Sequence, residues 1–194
     1  CKVNKYRTHT CGELTKDDKE ANIILSGWIN KKRDHGNLLF LDLRDNYGLT
    51  QCLIDKDNKF FKDLEKIQLE SVIKIHGVVK ERSKDTINSE LKTGDIEVKI
   101  EKYELLGICK ELPMPVFSDQ EYSEEIRLKY RFLDLRRKKI HENILLRSDV
   151  ISFIRNEMTK MGFREFQTPI LTSSSPEGAR DFLVPSRLNP GKFY

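Results

Sequence analysis

The chain has 194 residues, enough for one or two domains with a buried core. Hydrophobic residues make up 38% of it, and no apolar run approaches the roughly 20 residues of a transmembrane helix, so we expect no membrane partner. A formal net charge of +4 does not by itself require a nucleic-acid partner. The distribution of the charged residues along the chain is more informative about such a partner. The four cysteines lack metal-ligand spacing, which favours reduced thiols, a cytoplasmic location and no metal site.

Alternation of apolar and polar residues with a period of two predicts five β-strands in the first hundred residues. We place them at residues 23–29, 38–44, 49–54, 71–79 and 96–101, with a helix over residues 59–70 between the third and the fourth. Three strands, a helix and two strands is the order of an OB-fold. The sequence therefore predicts a five-stranded OB-fold barrel over residues 1–107.

An aromatic residue, Phe40, lies on the polar face of the second predicted strand, beside Asp42 and Arg44. It either packs under a loop at the rim or offers a stacking platform to a nucleobase, and the strand pattern leaves both alternatives open. Just upstream, residues 31–37 form a predicted basic loop between the first two strands, where OB-folds meet oligonucleotides. Loop and platform together favour single-stranded nucleic acid as the ligand.

Two runs in the barrel, SGWINKKRD at residues 26–34 and FLDLRD at residues 40–45, carry a family resemblance. They resemble the anticodon-binding domain of bacterial-type aspartyl-tRNA synthetases. The resemblance implies that Phe40, Gln51 and Glu97 receive the anticodon bases, the first by its ring face and the others by hydrogen bonds to base edges.

Three basic residues complete the implied anticodon site. Arg33 matches an arginine of the family, whereas Lys31 stands where an arginine is usual and lacks its planar fork. Arg82 is expected to attract the nucleic-acid backbone.

The charge-rich middle of the chain, residues 108–139, contains Pro113 and Pro115 and is predicted to be a linker or hinge. Its run RLKYRFLDLRR at residues 127–137 predicts a solvated helix face. The same run resembles the passage from hinge to catalytic domain in class II synthetases of the Asp, Asn and Lys subgroup.

Apolar residues at helical spacing predict a helix over residues 140–161, capped by Gly162. An extended segment with Pro169 near its end follows over residues 163–171. Helix, turn and extended segment resemble motif 1 of class II synthetases, which implies a homodimer interface that includes Pro169. The alternative is a helix packed on a sheet.

The run PEGARDFLVPSR at residues 176–187 resembles the amino-acid-gating loop of the same family. The resemblance implies that Glu177 contacts the α-ammonium group of aspartate. Residues 140–194 would then be the incomplete start of an antiparallel α+β catalytic domain. We expect no catalytic residue and no bound cofactor in these 194 residues, and no ligase activity from this chain alone.

The activity implied for the whole enzyme is aspartate–tRNA ligation, with tRNA(Asp), aspartate, ATP and Mg²⁺ as reaction partners. Relaxed members of the family, which also charge tRNA(Asn), tend to carry His-Gly where this chain has His35 and Gly36. A second position tied to this choice falls near Asp85. The resemblance thus implies that tRNA(Asn) is a partner too.

Two other hypotheses stay open. The first is a stand-alone OB-fold module that binds single strands with little sequence preference and strong salt dependence. The second is a sister ligase for asparagine or lysine, against which the run EGARD at residues 177–181 argues.

Overall fold

The computed structural model describes residues 4–118, 120–172 and 182–194. It divides into two compact units, residues 1–141 and residues 142–194. The first unit contains five strands and a helix between the third and the fourth: β1 (Asn22–Asp34), β2 (Leu38–Arg44), β3 (Leu49–Asp55), α1 (Phe61–Lys66), β4 (Val72–Glu81) and β5 (Ile96–Gly107). Three further helices follow: α2 (Glu124–Lys129), α3 (Arg131–Asp134) and α4 (Lys138–Lys160).

The five strands form a closed barrel in the order β1-β2-β3-β5-β4. All neighbouring strands are antiparallel except β3 and β5, which are parallel. The predicted OB-fold order of three strands, a helix and two strands is therefore confirmed. The alternating apolar side chains fill the barrel, with Leu39, Leu41 and Leu43 of β2 all buried, as the period-two pattern requires.

Close approach of two strands explains one glycine of the barrel. A Cβ atom on Gly27 would lie 2.3 Å from the backbone oxygen of Arg44 on β2. Because any side chain would push β1 away from β2 at this point, only glycine permits the observed pairing.

The strand β1 is longer than predicted, and this corrects the predicted basic loop. Residues 31–34 belong to β1 and pair with β2, after a β-bulge between Ile29 and Lys31. Only residues 35–37 turn between the strands, with Gly36 at a φ of 79°. The basic side chains are therefore held on a sheet, where alternation sends neighbours to opposite faces.

Because side chains alternate along β1, Lys32 does not lie on the predicted nucleic-acid surface. Its ammonium group donates to the backbone oxygens of Glu65 at 2.5 Å and Ile67 at 2.7 Å, at the end of α1. A cation at this position satisfies carbonyl groups that a helix leaves unpaired. Burial lowers the pKa of Lys32, and its charge stabilises the barrel rather than a ligand.

The predicted hinge contains two short helices and a small core of its own. Met114, Val116 and Leu133 are buried together. The buried carboxylate of Asp134 accepts from Arg127 at 3.2 Å and Arg131 at 2.7 Å. The charge-rich run is helical, as predicted, but three of its arginines, the third being Arg137, pair with this internal carboxylate, and the fourth, Arg136, pairs with the buried Glu70.

The second unit carries most of the long helix, and the predicted cap is confirmed. Gly162 has a φ of 93°, and the amide of Phe163 donates to the carbonyl of Met158, the hydrogen bond of a Schellman motif. The extended segment after it, which contains the exposed Pro169, pairs with no strand among the described residues. None of the residues of α4 is buried.

Residues 184–194 form a small hairpin around a bridge between Pro185 and Phe193. No helix within the described ranges is long and apolar enough to cross a membrane.

Candidate nucleic-acid interface

An open cavity of about 730 Å³ lies on the outer face of the barrel, at the side of β2, β3 and the loop after β4. Its walls combine two arginines, a carboxylate, two amides, two rings, two hydroxyl groups and two leucines. The lining residues are Arg33, His35, Leu38, Phe40, Gln51, Leu53, Arg82, Ser83, Thr86, Asn88 and Glu97. Five of the six residues predicted to bind the anticodon are thus brought to one surface.

Phe40 offers an aromatic face in this cavity. It is half-buried, and it stands between Arg33 on β1 and Leu53 on β3. The imidazole of His35 meets it at right angles, with ring centroids 5.3 Å apart and an interplanar angle of 87°. An edge-on neighbour of this kind fixes a ring while leaving part of its surface open for stacking.

The polar side chains beside Phe40 form a row that crosses the barrel. In this row Lys31 on β1 lies opposite Asp42 on β2, and Asp42 lies opposite Gln51 on β3. Glu97 on β5 continues the row, because the Nε2 of Gln51 donates to its carboxylate at 3.2 Å. Residues directly opposite one another share a face of the sheet, so the row is a continuous polar strip.

Arg33 connects this row by two hydrogen bonds. Its Nη2 donates to Oδ1 of Asp42 at 2.8 Å and to Oε1 of Gln51 at 3.0 Å. Burial raises the pKa of Asp42, although the charges of Arg33 and Lys31 oppose the shift. The free chain therefore holds the predicted base-reading groups in a connected network before any ligand enters.

The position of Arg82 differs from that expected of a group that attracts a nucleic-acid backbone. Its side chain is only 4% exposed and lies 3.9 Å from Glu97. It donates to the carbonyls of Ile96 at 3.0 Å and Thr86 at 3.1 Å, and burial lowers its pKa. Arg82 thus holds the loop after β4 against the sheet. Its positive charge lies at the buried wall of the cavity.

Four other predicted residues lie elsewhere. Lys31 is exposed beside the cavity without lining it, and Asp85 is exposed on the short helical turn between the lining residues Ser83 and Thr86. Pro169 is far along the chain in the second unit. Glu177 lies outside the described residues, so its predicted contact with aspartate stays a prediction.

Several lining residues were missed by sequence reasoning. Leu38 and Leu53 share a face with Phe40 and Gln51 respectively, and the period of two could have found them. Asn88 and its neighbours come from an irregular loop, and no sequence pattern placed that loop at the cavity.

Comparison with known families agrees with this arrangement. A family model described as an OB-fold nucleic acid binding domain matches residues 23–106. A second model, described as tRNA synthetases class II (D, K and N), matches residues 123–194. The C-terminal part of the chain is thus similar to the class II tRNA synthetases, and the N-terminal part is similar to nucleic-acid-binding OB-fold domains. The predicted family and the two-part organisation of OB-fold and synthetase start are thereby confirmed.

Curated relatives are similar to the chain along almost its whole length. The Aspartate–tRNA(Asp/Asn) ligase of Pelagibacter ubique (strain HTCC1062) is 79% identical over 99% of the chain and 32% of that protein. The protein of the same name from Dinoroseobacter shibae (strain DSM 16493 / NCIMB 14021 / DFL 12) is 59% identical over the same shares. The chain thus spans about a third of the length of these curated relatives.

A solved structure is similar in fold. The asparaginyl-tRNA synthetase from Pyrococcus horikoshii, complexed with asparaginyl-adenylate, superposes with a TM-score of 0.78 at 27% sequence identity. The match covers 91% of this chain and 40% of that one.

Proposed function

We propose that this chain is the anticodon-binding part and the start of the catalytic domain of an aspartate–tRNA ligase. One observation carries the proposal: Arg33, Phe40, Gln51 and Glu97 line one cavity on an OB-fold whose relatives are named Aspartate–tRNA(Asp/Asn) ligase. We further propose that residues 1–107 bind the anticodon, residues 108–139 form the hinge and residues 140–194 begin the catalytic domain.

In this proposal each part of the cavity has a separate task. One base stacks on Phe40, while Gln51 and Glu97 meet base edges with a donor and acceptors. Arg33 supplies positive charge at the cavity wall, and exposed Lys31 beside it attracts phosphate. The aromatic face gives affinity for any base, and the polar row discriminates among them.

The reaction proposed for the whole ligase has two steps. The carboxylate of aspartate attacks the α-phosphorus of ATP, which forms aspartyl-adenylate and releases pyrophosphate. A ribose hydroxyl at the end of the tRNA then attacks the activated carbonyl, which releases AMP. Mg²⁺ would neutralise phosphate charge. Within the described residues no group of three His, Cys, Asp or Glu side chains is arranged to hold a metal ion, so we assign no step to a metal held there.

Binding of anticodon stem-loops tests this proposal. We expect the chain to bind a GUC stem-loop at least about tenfold more tightly than a UUU stem-loop of the same stem, a difference of about 1.4 kcal/mol. Fluorescence anisotropy at fixed salt would measure both dissociation constants. Equal affinities for these and for an unstructured single strand would instead support the stand-alone OB-fold module, and a preference for UUU would support a lysine ligase.

Relaxed recognition of the last anticodon base is a further part of the proposal, and it concerns His35. An imidazole presents a donor or an acceptor according to its tautomer, so it can accept C or U. We expect affinities for GUC and GUU stem-loops to agree within about fivefold, or about 1 kcal/mol. His35→Leu should weaken the GUU complex selectively, whereas His141→Leu, outside the cavity, should not. An unchanged ratio in His35→Leu would refute this role.

We also propose that the ligase is a homodimer and that α4 contributes to its interface. Large apolar side chains of α4, among them Ile151, Ile154 and Met158, are exposed in the single chain. Such a surface is unusual in a monomer. Sedimentation velocity should show self-association that Ile154→Asp reduces and Asp149→Asn leaves intact. A chain that is monomeric at high concentration would contradict the proposal.

A further inference from the structure

A buried carboxylate lies beneath the cavity without lining it. The side chain of Asp42 is 12% exposed, and its residue stands at the centre of the sheet, opposite Lys31 on one side and Gln51 on the other. Asp42 is absent from the cavity lining, so a base in the cavity would meet Arg33 and Gln51 rather than this carboxylate. Any effect of Asp42 on a ligand must therefore pass through its neighbours.

The neighbour that transmits the effect is Arg33. A guanidinium group can only donate hydrogen bonds, and the Nη2 of Arg33 donates to Asp42 at 2.8 Å and to the Oε1 of Gln51 at 3.0 Å. On its other side Gln51 donates from Nε2 to the Glu97 carboxylate, which can only accept. Turning the amide of Gln51 by 180° would set donor against donor at Arg33 and acceptor against acceptor at Glu97.

The orientation of the Gln51 amide matters because uracil and cytosine present opposite arrangements of donor and acceptor. Uracil presents an acceptor (O4) beside a donor (N3–H), whereas cytosine presents a donor (N4–H) beside an acceptor (N3). An amide free to turn can match either edge. An amide held in one orientation matches the edge of one pyrimidine. Against the edge of the other it sets donor against donor and acceptor against acceptor, which leaves polar groups unpaired.

We propose that Asp42 is a positioning residue that, by holding Arg33, fixes the amide orientation of Gln51 and so makes the cavity discriminate between uracil and cytosine. The inference rests on the proposed anticodon function and deepens it. Without Asp42, the guanidinium of Arg33, whose side chain is already 40% exposed, is free to turn away from Gln51 and towards a phosphate group.

The placement of Asp42 agrees with such a role. Burial raises its pKa, which means that the ionised form is less favourable here than in water. The ionised carboxylate of Asp42 thus lowers the stability of the fold, and it belongs to a network that joins β1, β2 and β3. Its presence is better explained by the orientation of its hydrogen-bond partners than by a contribution to stability.

The test uses Asp42→Asn, which preserves shape and removes the charge. We would measure dissociation constants for stem-loops that carry U, C, A or G at the middle position of the anticodon, at several salt concentrations. For the wild-type chain we expect a preference for U over C. In Asp42→Asn this preference for U should fall by about tenfold, while discrimination against the larger purines stays. The slope of log K against log salt concentration should steepen by up to about one unit, because Arg33 is then free to meet a phosphate.

Two further variants separate orientation from damage to the fold. Asp55→Asn removes an equivalent charge from β3, where Asp55 pairs with Lys99, and should leave the ratio of U to C unchanged. Arg33→Lys keeps the charge but loses the planar group, so it should lose the preference for U even if Asp42→Asn proves unstable. Normal binding with an unchanged ratio in Asp42→Asn or in Arg33→Lys would overturn the positioning role. A wild-type chain that binds all four stem-loops equally would overturn the anticodon function and this role with it.

Discussion

Replacing Phe40 by alanine is expected to weaken binding of a GUC stem-loop by about 5- to 150-fold, because stacking of one base on an aromatic ring contributes about 1–3 kcal/mol. The ring is half-buried and lies in the cavity, held edge-on by His35. Removing it takes away the only phenyl ring among the lining residues. Its loss should cost little stability, because part of the ring already faces solvent.

Anisotropy titration with the wild-type chain and Phe40→Ala measures the effect directly. Phe132→Ala is a suitable control, because Phe132 is an exposed ring on α3 that does not line the cavity. Phe40→Tyr should retain most of the affinity, since the ring face is kept. Equal affinity of Phe40→Ala and wild type for every stem-loop would show that Phe40 is a rim residue packed under the His35 turn, the alternative that the strand pattern left open.

Replacing Glu70 by glutamine is expected to lower the free energy of unfolding by about 3 kcal/mol, near the lower end of the cost of breaking a buried ion pair. The Glu70 side chain is 0% exposed and accepts from Arg44 of the barrel at 2.8 Å and Arg136 of the hinge segment at 3.2 Å. Both guanidinium groups lie over the ring of Trp28. A neutral amide would leave two like charges side by side without their shared carboxylate.

The tryptophan makes this prediction convenient to measure, because Trp28 is the only one in the chain. Urea unfolding followed by its fluorescence should give a lower midpoint for Glu70→Gln. Glu104→Gln removes an exposed carboxylate that pairs with Lys74 on the barrel surface, and it should change the unfolding free energy by less than about 1 kcal/mol. Wild-type stability of Glu70→Gln would mean that the negative charge of Glu70 is not needed to hold the two arginines in place.

Much of the fold follows from the sequence alone. Most inward positions of the strands, at every second residue, carry buried Leu, Ile or Val. This pattern survives in the structure because closure of the barrel buries one face of every strand. The same reasoning placed Phe40 and Asp42 together on the outer face. The family resemblance then selected Gln51 and Glu97, because the strand pattern alone does not distinguish them from ordinary surface residues.

The roles of the basic residues needed the tertiary structure. Lys31, Lys32 and Arg33 are equivalent as a sequence run, yet one is exposed, one binds the end of α1 and one holds Gln51. The bulge after Ile29 sets which of them faces outward, and a bulge of one residue has no reliable sequence signal.

Arg82 and Asp42 illustrate the same limit. Arg82 donates to the carbonyl of Ile96 on β5. The row that contains Asp42 reaches the same strand through the hydrogen bond from Gln51 to Glu97. Neither contact can be read from the separation along the chain until the sheet has closed. The sequence by itself determined which residues face the interior, since that depends on a local period. Only the tertiary structure decided which charged groups meet, because the free energy of an ion pair or hydrogen bond depends on distances of a few ångströms between strands that are remote in sequence.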